Sequence, residues 1–377
     1  MSRKAVAPRA RKVSVIGAGS WGTTFAKVLA DGGSDVIVWA RRDDLASEIN
    51  ATHRNSDYLR GIALPKNVRA TSNMADAVVG AEQIYFCVPA QALRENLVAA
   101  APFITDGQIV VSLMKGVEKR TGLRMSEVIA EELPIDPQYI AVVSGPNLAL
   151  EIAKEQPTAA VVSSASIETA SLVAMASTNR YFRCFVNTDV TGTEFGGVLK
   201  NLIAVAVGIV DGVGYGHNTK ASIITRGLAE MTDFAVAYGA QPETLAGLAG
   251  LGDLIATCES PLSRNNTAGR LLGQGYTVTD VVKQMKQTAE GLASVAPILS
   301  LAHARGVDMP IVEQVSQVLA GTLDPRDIAP HLTTHSNEPQ GERALDDNQA
   351  QSRGAFWGSL KRALHQLRDG AGSPSRD

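Results

Sequence analysis

Val13-Ser14-Val15-Ile16-Gly17-Ala18-Gly19-Ser20-Trp21-Gly22-Thr23 decides how the rest of the chain is read. A short β-branched run leads directly into a GxGxxG pattern, and the pattern leads directly into a helical stretch, Thr23–Asp31. That strand–turn–helix setting marks a dinucleotide-binding turn; an ordinary βαβ turn is the plainer alternative. Each glycine has its own task. Gly17 permits the tight turn, Gly19 lets the backbone approach a pyrophosphate, and Gly22 packs helix against strand. The N–H groups that open the helix face the phosphates.

Outward from this motif, apolar runs alternate with helical stretches. Val13–Ile16, Val36–Trp39, Gln83–Val88, Ile109–Leu113, Ile140–Ser144 and Ala159–Ser163 are expected strands. Thr23–Asp31, Leu45–Asn50, Ala90–Ala101 and Met125–Leu133 are expected helices. Such alternation means βαβ units and a mainly parallel sheet. Beyond about residue 188 the strand signal fades. Gly192–Val210, Lys220–Tyr238, Asn265–Leu272, Val278–Lys286, Leu292–Arg305 and Ile311–Ala320 then form an all-helical unit. The expected division is a flexible basic leader (1–12), a dinucleotide-binding α/β domain (13–189), a helical substrate and catalytic domain (190–330) and a polar tail (331–377). In the tail, Phe356, Leu360, Leu364 and Leu367 share one helical face, with Lys361, Arg362 and Arg368 on others. A helix docked on the body or folded transiently is the simplest reading, and a partner- or membrane-recruiting helix the alternative.

Composition narrows the class. At about 150 residues per domain, 377 residues suit two domains and a tail. A 45% hydrophobic content supports a real core, and a net charge of −3 gives no footprint for nucleic acid. Cys87, Cys184 and Cys258 lie far apart without CxxC spacing, which excludes a disulfide scaffold and a thiolate zinc finger and suits the cytosol. The longest unbroken apolar run, Leu202–Val210, is too short for a membrane span.

Several clusters carry candidate chemistry. An NAD binder commonly ends its second strand in Asp or Glu, to hold the ribose 2′-hydroxyl. Here that place is Trp39-Ala40-Arg41-Arg42, and two guanidiniums suit a 2′-phosphate, so NADP is expected to be preferred and NAD accepted. Asp43 and Asp44 could instead balance a solvated basic loop. Lys115-Gly116 follows a strand whose carboxyl end faces the ligand crevice, and could hold an anionic substrate. Ser144-Gly145-Pro146-Asn147-Leu148-Ala149 exposes backbone at the same edge. Lys200 lies in an otherwise apolar helix, where an ammonium is expensive unless used. Its i−3 and i−4 neighbours, Gly197 and Gly196, are expected to leave room for a small substrate, and the placement suits proton transfer to a carbonyl oxygen. Thr191 and Glu194 have capping-box spacing at the start of that helix. Asp253, in Gly250-Leu251-Gly252-Asp253-Leu254, could accept from a substrate hydroxyl or orient a lysine. Ser263-Arg264-Asn265-Asn266 opens a helix and reads as an anion trap suited to a phosphate monoester, or as plain N-capping. Glu290-Gly291 at a helix start could meet a cofactor ribose.

These motifs, in this order over about 13–330, resemble the bacterial NAD(P)-dependent glycerol-3-phosphate dehydrogenase family. Trp21 inside the glycine turn and the Ser263-Arg264-Asn265 triplet are the specific marks; GxGxxG is shared widely. The resemblance implies a Rossmann-like domain followed by an all-helical domain, a homodimer, a cytoplasmic location and a product that feeds glycerophospholipid synthesis. It further implies that Ser20, Trp21, Arg41, Arg42, Tyr58, Lys115, Ala149, Arg264 and Glu290 contact the cofactor. Lys115, Gly145, Lys200, Asp253, Ser263, Arg264 and Asn265 would hold substrate, with Lys200 as the proton acceptor in oxidation. The chain departs from the family pattern at Asn147, where many members carry Ser or Thr, and at Ala289, where many carry a β-branched residue. Two rival functions are a similar reductase of a hydroxy or keto acid and a non-catalytic NADP-binding sensor.

Overall fold

The structure is a computed structural model and describes residues 11–285 and 290–329. The expected tail helix around Phe356–Leu367 and the departure at Ala289 lie outside the described residues. In the first half, strands are β1 (Lys12–Ile16), β2 (Asp35–Trp39), β3 (Val68–Thr71), β4 (Gln83–Phe86), β5 (Ile109–Ser112), β6 (Ile140–Ser144), β7 (Thr158–Ser164) and β8 (Phe182–Asn187). Between them run α1 (Ser20–Asp31), α2 (Asp43–Thr52), α3 (Met74–Val78), α4 (Leu93–Ala100), α5 (Met125–Glu132), α6 (Ala149–Ala153) and α7 (Ile167–Ser177). Helices follow: α8 (Val190–Val213), α9 (His217–Ala237), α10 (Pro242–Ala246), α11 (Asp253–Glu259), α12 (Arg264–Gly273), α13 (Val278–Gln284), α14 (Glu290–Arg305) and α15 (Pro310–Ala320). A single π-helical turn, Leu248–Gly252, leads into α11.

The sheet order is β3-β2-β1-β4-β5-β6-β7-β8, parallel throughout except between β6 and β7. The expected α/β class, a mainly parallel Rossmann-like sheet followed by helices, is what the chain adopts. Strand order reverses beside β1, so the crevice opens at its carboxyl end, where the glycine turn sits. Both sheet faces are covered: Phe25, Val28 and Leu29 of α1 pack on one, and Leu93 and Leu97 of α4 with Val128 and Ile129 of α5 on the other. This double burial explains the nearly continuous apolar strands.

Helix α8 is the axis of the second half. Every residue from Gly192 to Val210 is buried, and α9, α11, α12 and α14 pack around it. The helix is long and apolar enough to cross a membrane, beyond what the nine-residue run suggested, yet 83% of that window is buried inside the protein. Its start also differs from expectation. The N-cap is Asp189, whose carboxylate accepts from Gly192 N–H at 2.8 Å. Glu194 makes no capping box with Thr191; it faces α5 instead.

Candidate active site

The glycine turn has the shape its sequence demands. Gly17 has φ +118°, and a Cβ there would stand 2.3 Å from the Cys87 carbonyl oxygen. A Cβ on Gly22 would meet the Gly17 carbonyl at 2.0 Å, whereas Gly19 faces open space. The N-cap of α1, Gly19, has no side-chain cap, so the first N–H groups of the helix are available to an anion. These features fit a dinucleotide pyrophosphate. Buried Asn55 props the turn, donating to the Ala18 carbonyl at 2.9 Å and to Thr23 Oγ1 at 2.8 Å. Ser20 Oγ donates to the Tyr58 carbonyl at 2.8 Å, which brings the half-exposed Tyr58 to the turn.

Two further bonds tie the turn to the sheet edge. Trp21 Nε1 donates to the Leu113 carbonyl at 3.2 Å, two residues before Lys115, and Thr24 Oγ1 donates to the Ala149 carbonyl at 3.3 Å. At the adenosine end, Arg42 pairs with Asp57 and, at 3.7 Å, with Asp44. Asp43 instead accepts from Ser72 Oγ at 2.9 Å. Arg41 is exposed and has no ion pair or hydrogen bond among the described residues.

The chemical centre is a carboxylate held between two ammonium groups. Lys115 Nζ donates to Asp253 Oδ2 at 2.6 Å and to the Gly145 carbonyl at 2.9 Å. Lys200 Nζ donates to Asp253 Oδ1 at 3.0 Å and to Thr257 Oγ1 at 2.6 Å. Asp253 is 2% exposed, so removing either lysine would leave a poorly compensated buried charge at high cost. Each ammonium has three protons and spends two on the protein, which leaves one for a ligand. Burial, with Lys200 nearby, pushes the Lys115 ammonium down to about 8, although Asp253 works against the shift.

Helix α12 brings the remaining polar groups. Ser263 is its N-cap, accepting from Asn266 N–H at 3.2 Å, so the plain capping reading applies to its oxygen; the hydroxyl proton is not spent in that bond. Asn265 donates to Asn201 Oδ1 at 2.8 Å and accepts from Gly291 N–H at 2.9 Å. This bridge sets Glu290, the residue before Gly291, beside the cluster. Burial raises the Glu290 carboxyl above its ordinary range, while Arg264, Lys200 and Lys115 oppose the rise. Three basic groups, Lys115, Lys200 and Arg264, thus act on the Glu290 carboxyl, and two of them also hold Asp253.

One expectation fails. Gly196 and Gly197 do not leave an open space beside Lys200. A Cβ on Gly196 would stand 2.5 Å from the Ala249 carbonyl, and one on Gly197 would stand 2.9 Å from Ser144 Oγ and 3.2 Å from Lys115 Cγ. The glycines let the π-turn and the Lys115 side chain approach α8. Sequence reasoning also passed over Thr257, four residues after Asp253 and so on the same face of α11, and gave no role to Asn201 beside Lys200. Asn147 lies at this edge with both amide atoms buried and without a hydrogen-bond partner among the described residues, as is Ser144 Oγ. Such orphans are expensive unless a ligand meets them.

A dinucleotide turn opening toward a bridged lysine pair and a helix N-terminus defines the class: a nicotinamide-dependent oxidoreductase of a small anionic substrate. The chain belongs to the NAD-dependent glycerol-3-phosphate dehydrogenase family. Residues 12–170 match the model of that family's N-terminal part and residues 189–330 that of its C-terminal part. It is 74% identical over 368 residues to glycerol-3-phosphate dehydrogenase [NAD(P)+] of Leifsonia xyli subsp. xyli, covering 96% of this chain and 100% of that protein. The enzyme of the same description from Streptomyces griseus subsp. griseus is 51% identical over 329 residues, covering 87% of this chain and 98% of its own. The crystal structure of glycerol-3-phosphate dehydrogenase from Coxiella burnetii is similar with a TM-score of 0.82 and 34% identity, covering 87% of this chain and 100% of that one.

Proposed function

We propose that the protein interconverts dihydroxyacetone phosphate and sn-glycerol 3-phosphate with NAD(P)H, with Lys200 as proton donor in reduction and acceptor in oxidation. When bound, the reduced nicotinamide supplies the hydride for carbon 2 of the ketone. The chain's own groups do the rest. Lys200 uses its uncommitted proton to neutralise the oxygen on that carbon as negative charge develops. Lys115 adds positive charge beside it, and Gly145 and Asp253 keep its ammonium in place. Ser263, Arg264 and Asn265 hold the phosphate at the start of α12, which turns remote binding energy into orientation at the reacting carbon. Gly17, Gly19, Ser20, Trp21, Gly22, Arg41, Arg42, Tyr58, Ala149 and Glu290 are the cofactor's contacts in this reading, alongside Lys115 and Arg264.

The observation that carries the proposal is Asp253 holding Lys115 and Lys200 side by side. A keto-acid reductase would need a carboxylate site where the Ser-Arg-Asn helix start suits a phosphate, and a sensor would not need a buried proton donor. The NADP preference in this reading rests on exposed Arg41, which has no ion pair among the described residues, while Arg42 is paired with Asp57 and Asp44. We infer a dinucleotide-binding domain over 13–189 and a helical substrate and catalytic domain over 190–330, in a homodimer acting in the cytoplasm. The test follows nicotinamide absorbance with dihydroxyacetone phosphate and NADPH, with NADH and a panel of 2-keto acids in parallel. Rapid oxidation with the phosphorylated ketone alone supports the assignment; turnover only with keto acids would discard the phosphate site. Sedimentation equilibrium tests the dimer.

A further inference from the structure

We propose that Glu194 is a positioning residue that acts through Arg124 to set where Lys115 stands relative to Lys200. This rests on the reaction assigned above and extends it to a residue outside the binding groups.

Glu194 lies in the second turn of α8, six residues before Lys200. Its carboxylate is 4% exposed. It accepts from Arg124 Nη1 at 2.6 Å, from Ser126 Oγ at 2.6 Å and from Ser126 N–H at 2.9 Å. Arg124 also pairs with Glu127 at 2.8 Å and lies over the Phe195 ring, 5.9 Å from its centroid. Helix α8 does not need this carboxylate, because Asp189 already caps it. A buried carboxylate is costly, and its partners here belong to α5 and its N-cap rather than to its own helix.

Arg124 ends the segment that carries Lys115. Val117 pairs antiparallel with Arg124, and Glu118 N–H donates to the Leu123 carbonyl at 2.9 Å. Lys115 is two residues before Val117, and its ammonium returns to α8 through Asp253 and Lys200. The contacts therefore close a ring: Glu194, Arg124, Val117, Lys115, Asp253, Lys200, with both ends on one rigid helix. Opening the ring at Glu194 loosens the hold on Lys115, while the glycine turn keeps its own props, the bonds from Asn55 to the Ala18 carbonyl and to Thr23 Oγ1.

The test compares the wild type with Glu194→Gln, Arg124→Met and Arg124→Lys in the full chain. NADPH affinity is read by fluorescence and KM and kcat with dihydroxyacetone phosphate. The titration of Lys115, faced by Asp253, Lys200 and Glu290, is read from the pH dependence of its acetylation by mass spectrometry. We expect KM to rise about tenfold in Glu194→Gln and Arg124→Met, with NADPH affinity within about twofold. The Lys115 midpoint moves up toward the ordinary lysine value, and Arg124→Lys restores part of each change. Folded variants that lose thermal stability but keep KM and the Lys115 midpoint would overturn the proposal, leaving Glu194 a structural group. If Glu194→Gln does not fold, Arg124→Met decides. Should the wild type fail to turn over the ketone, the assigned reaction falls, and Lys115 labelling still judges the ring.

Discussion

Lys200 and Lys115 share one carboxylate but have different tasks in the proposed reaction, and substitution separates them. Replacing Lys200 with Met removes the uncommitted proton and leaves Asp253 paired with Lys115 alone. The expected result is a kcat lower by about 10²- to 10⁴-fold, the usual worth of a positioned acid, with NADPH affinity unchanged. Steady-state turnover beside a cofactor titration checks it, and unchanged turnover would remove Lys200 from the chemistry. Lys115 governs a pH effect. With its ammonium held at about 8, it loses its charge as pH rises through that value, and the hold on an anionic substrate proposed for it should weaken. KM for dihydroxyacetone phosphate should therefore climb above about pH 8, and Lys115→Met should raise KM at every pH and abolish the climb. Stability runs the opposite way. Between about 8 and 10.5 the unfolded chain still holds the proton that the folded one has released, so this group's contribution to stability rises with pH. Lys200, Asp253 and the Ser-Arg-Asn triplet were legible because each is a polar group in an apolar or helix-opening setting. Thr257 and Asn201 were not, because a hydroxyl or amide in a helix draws no notice until its partner is known.

At the scale of elements, the approach of α12 to α8 decides whether the groups proposed to bind phosphate reach Lys200. Four glycines allow it. A Cβ on Gly208 would stand 2.2 Å from the Asn266 carbonyl, on Gly212 2.1 Å from that of Arg270, on Gly269 2.1 Å from that of Val205 and on Gly273 2.1 Å from that of Ile209. All four obstacles are backbone, which cannot swing aside. Gly269→Ala gains up to about 1 kcal/mol of helix propensity, but separating two packed backbones costs about 1–3 kcal/mol, so the loss wins. Gly269→Ala and Gly273→Ala should both lower Tm, while KM for the ketone rises more in Gly269→Ala, the change nearer Ser263-Arg264-Asn265. Equal KM effects would show that α12 moves as a rigid body. Sequence reasoning found α8 and α12 from their apolar spacing but not this contact, since a glycine in a helix says nothing about what lies opposite. It also passed over β3 and β8 for physical reasons. In β3 four residues include Arg69, too short a run to show alternation. In β8, an edge strand, Phe185 and Val186 are both exposed, so the period-two pattern is absent. Strands buried on both faces were found because parallel sheets make them apolar throughout.

For the whole molecule, the question is which part of 377 residues the reaction needs. The proposed cofactor contacts sit in the glycine turn, after β2, after β5 and β6 and at the start of α14, and the proposed substrate groups follow β5 and β6 and lie on α8, α11 and the start of α12. Every one of them falls between Gly17 and Glu290. The family match ends at residue 330. The central helix α8 contributes to both parts: its first turns face β6 and β7, and its middle carries Lys200. Neither part can assemble the lysine pair alone, because Lys115 follows β5 while Asp253 starts α11. A protein ending at His335 keeps every residue of the family match and of the proposed site, and should hold kcat/KM within about twofold and Tm within about 2 °C. It should also gain about 2.7 kcal/mol of stability from NADPH at 100 times its Kd, as the full chain does, since the binding groups are the same. Scanning calorimetry of both proteins, with and without NADPH, reads stability and cofactor linkage together. A normal linkage with lowered turnover would place a role for residues 336–377 on the substrate side. A reduced linkage would mean that those residues help to form the cofactor site, and the boundary at His335 would be wrong.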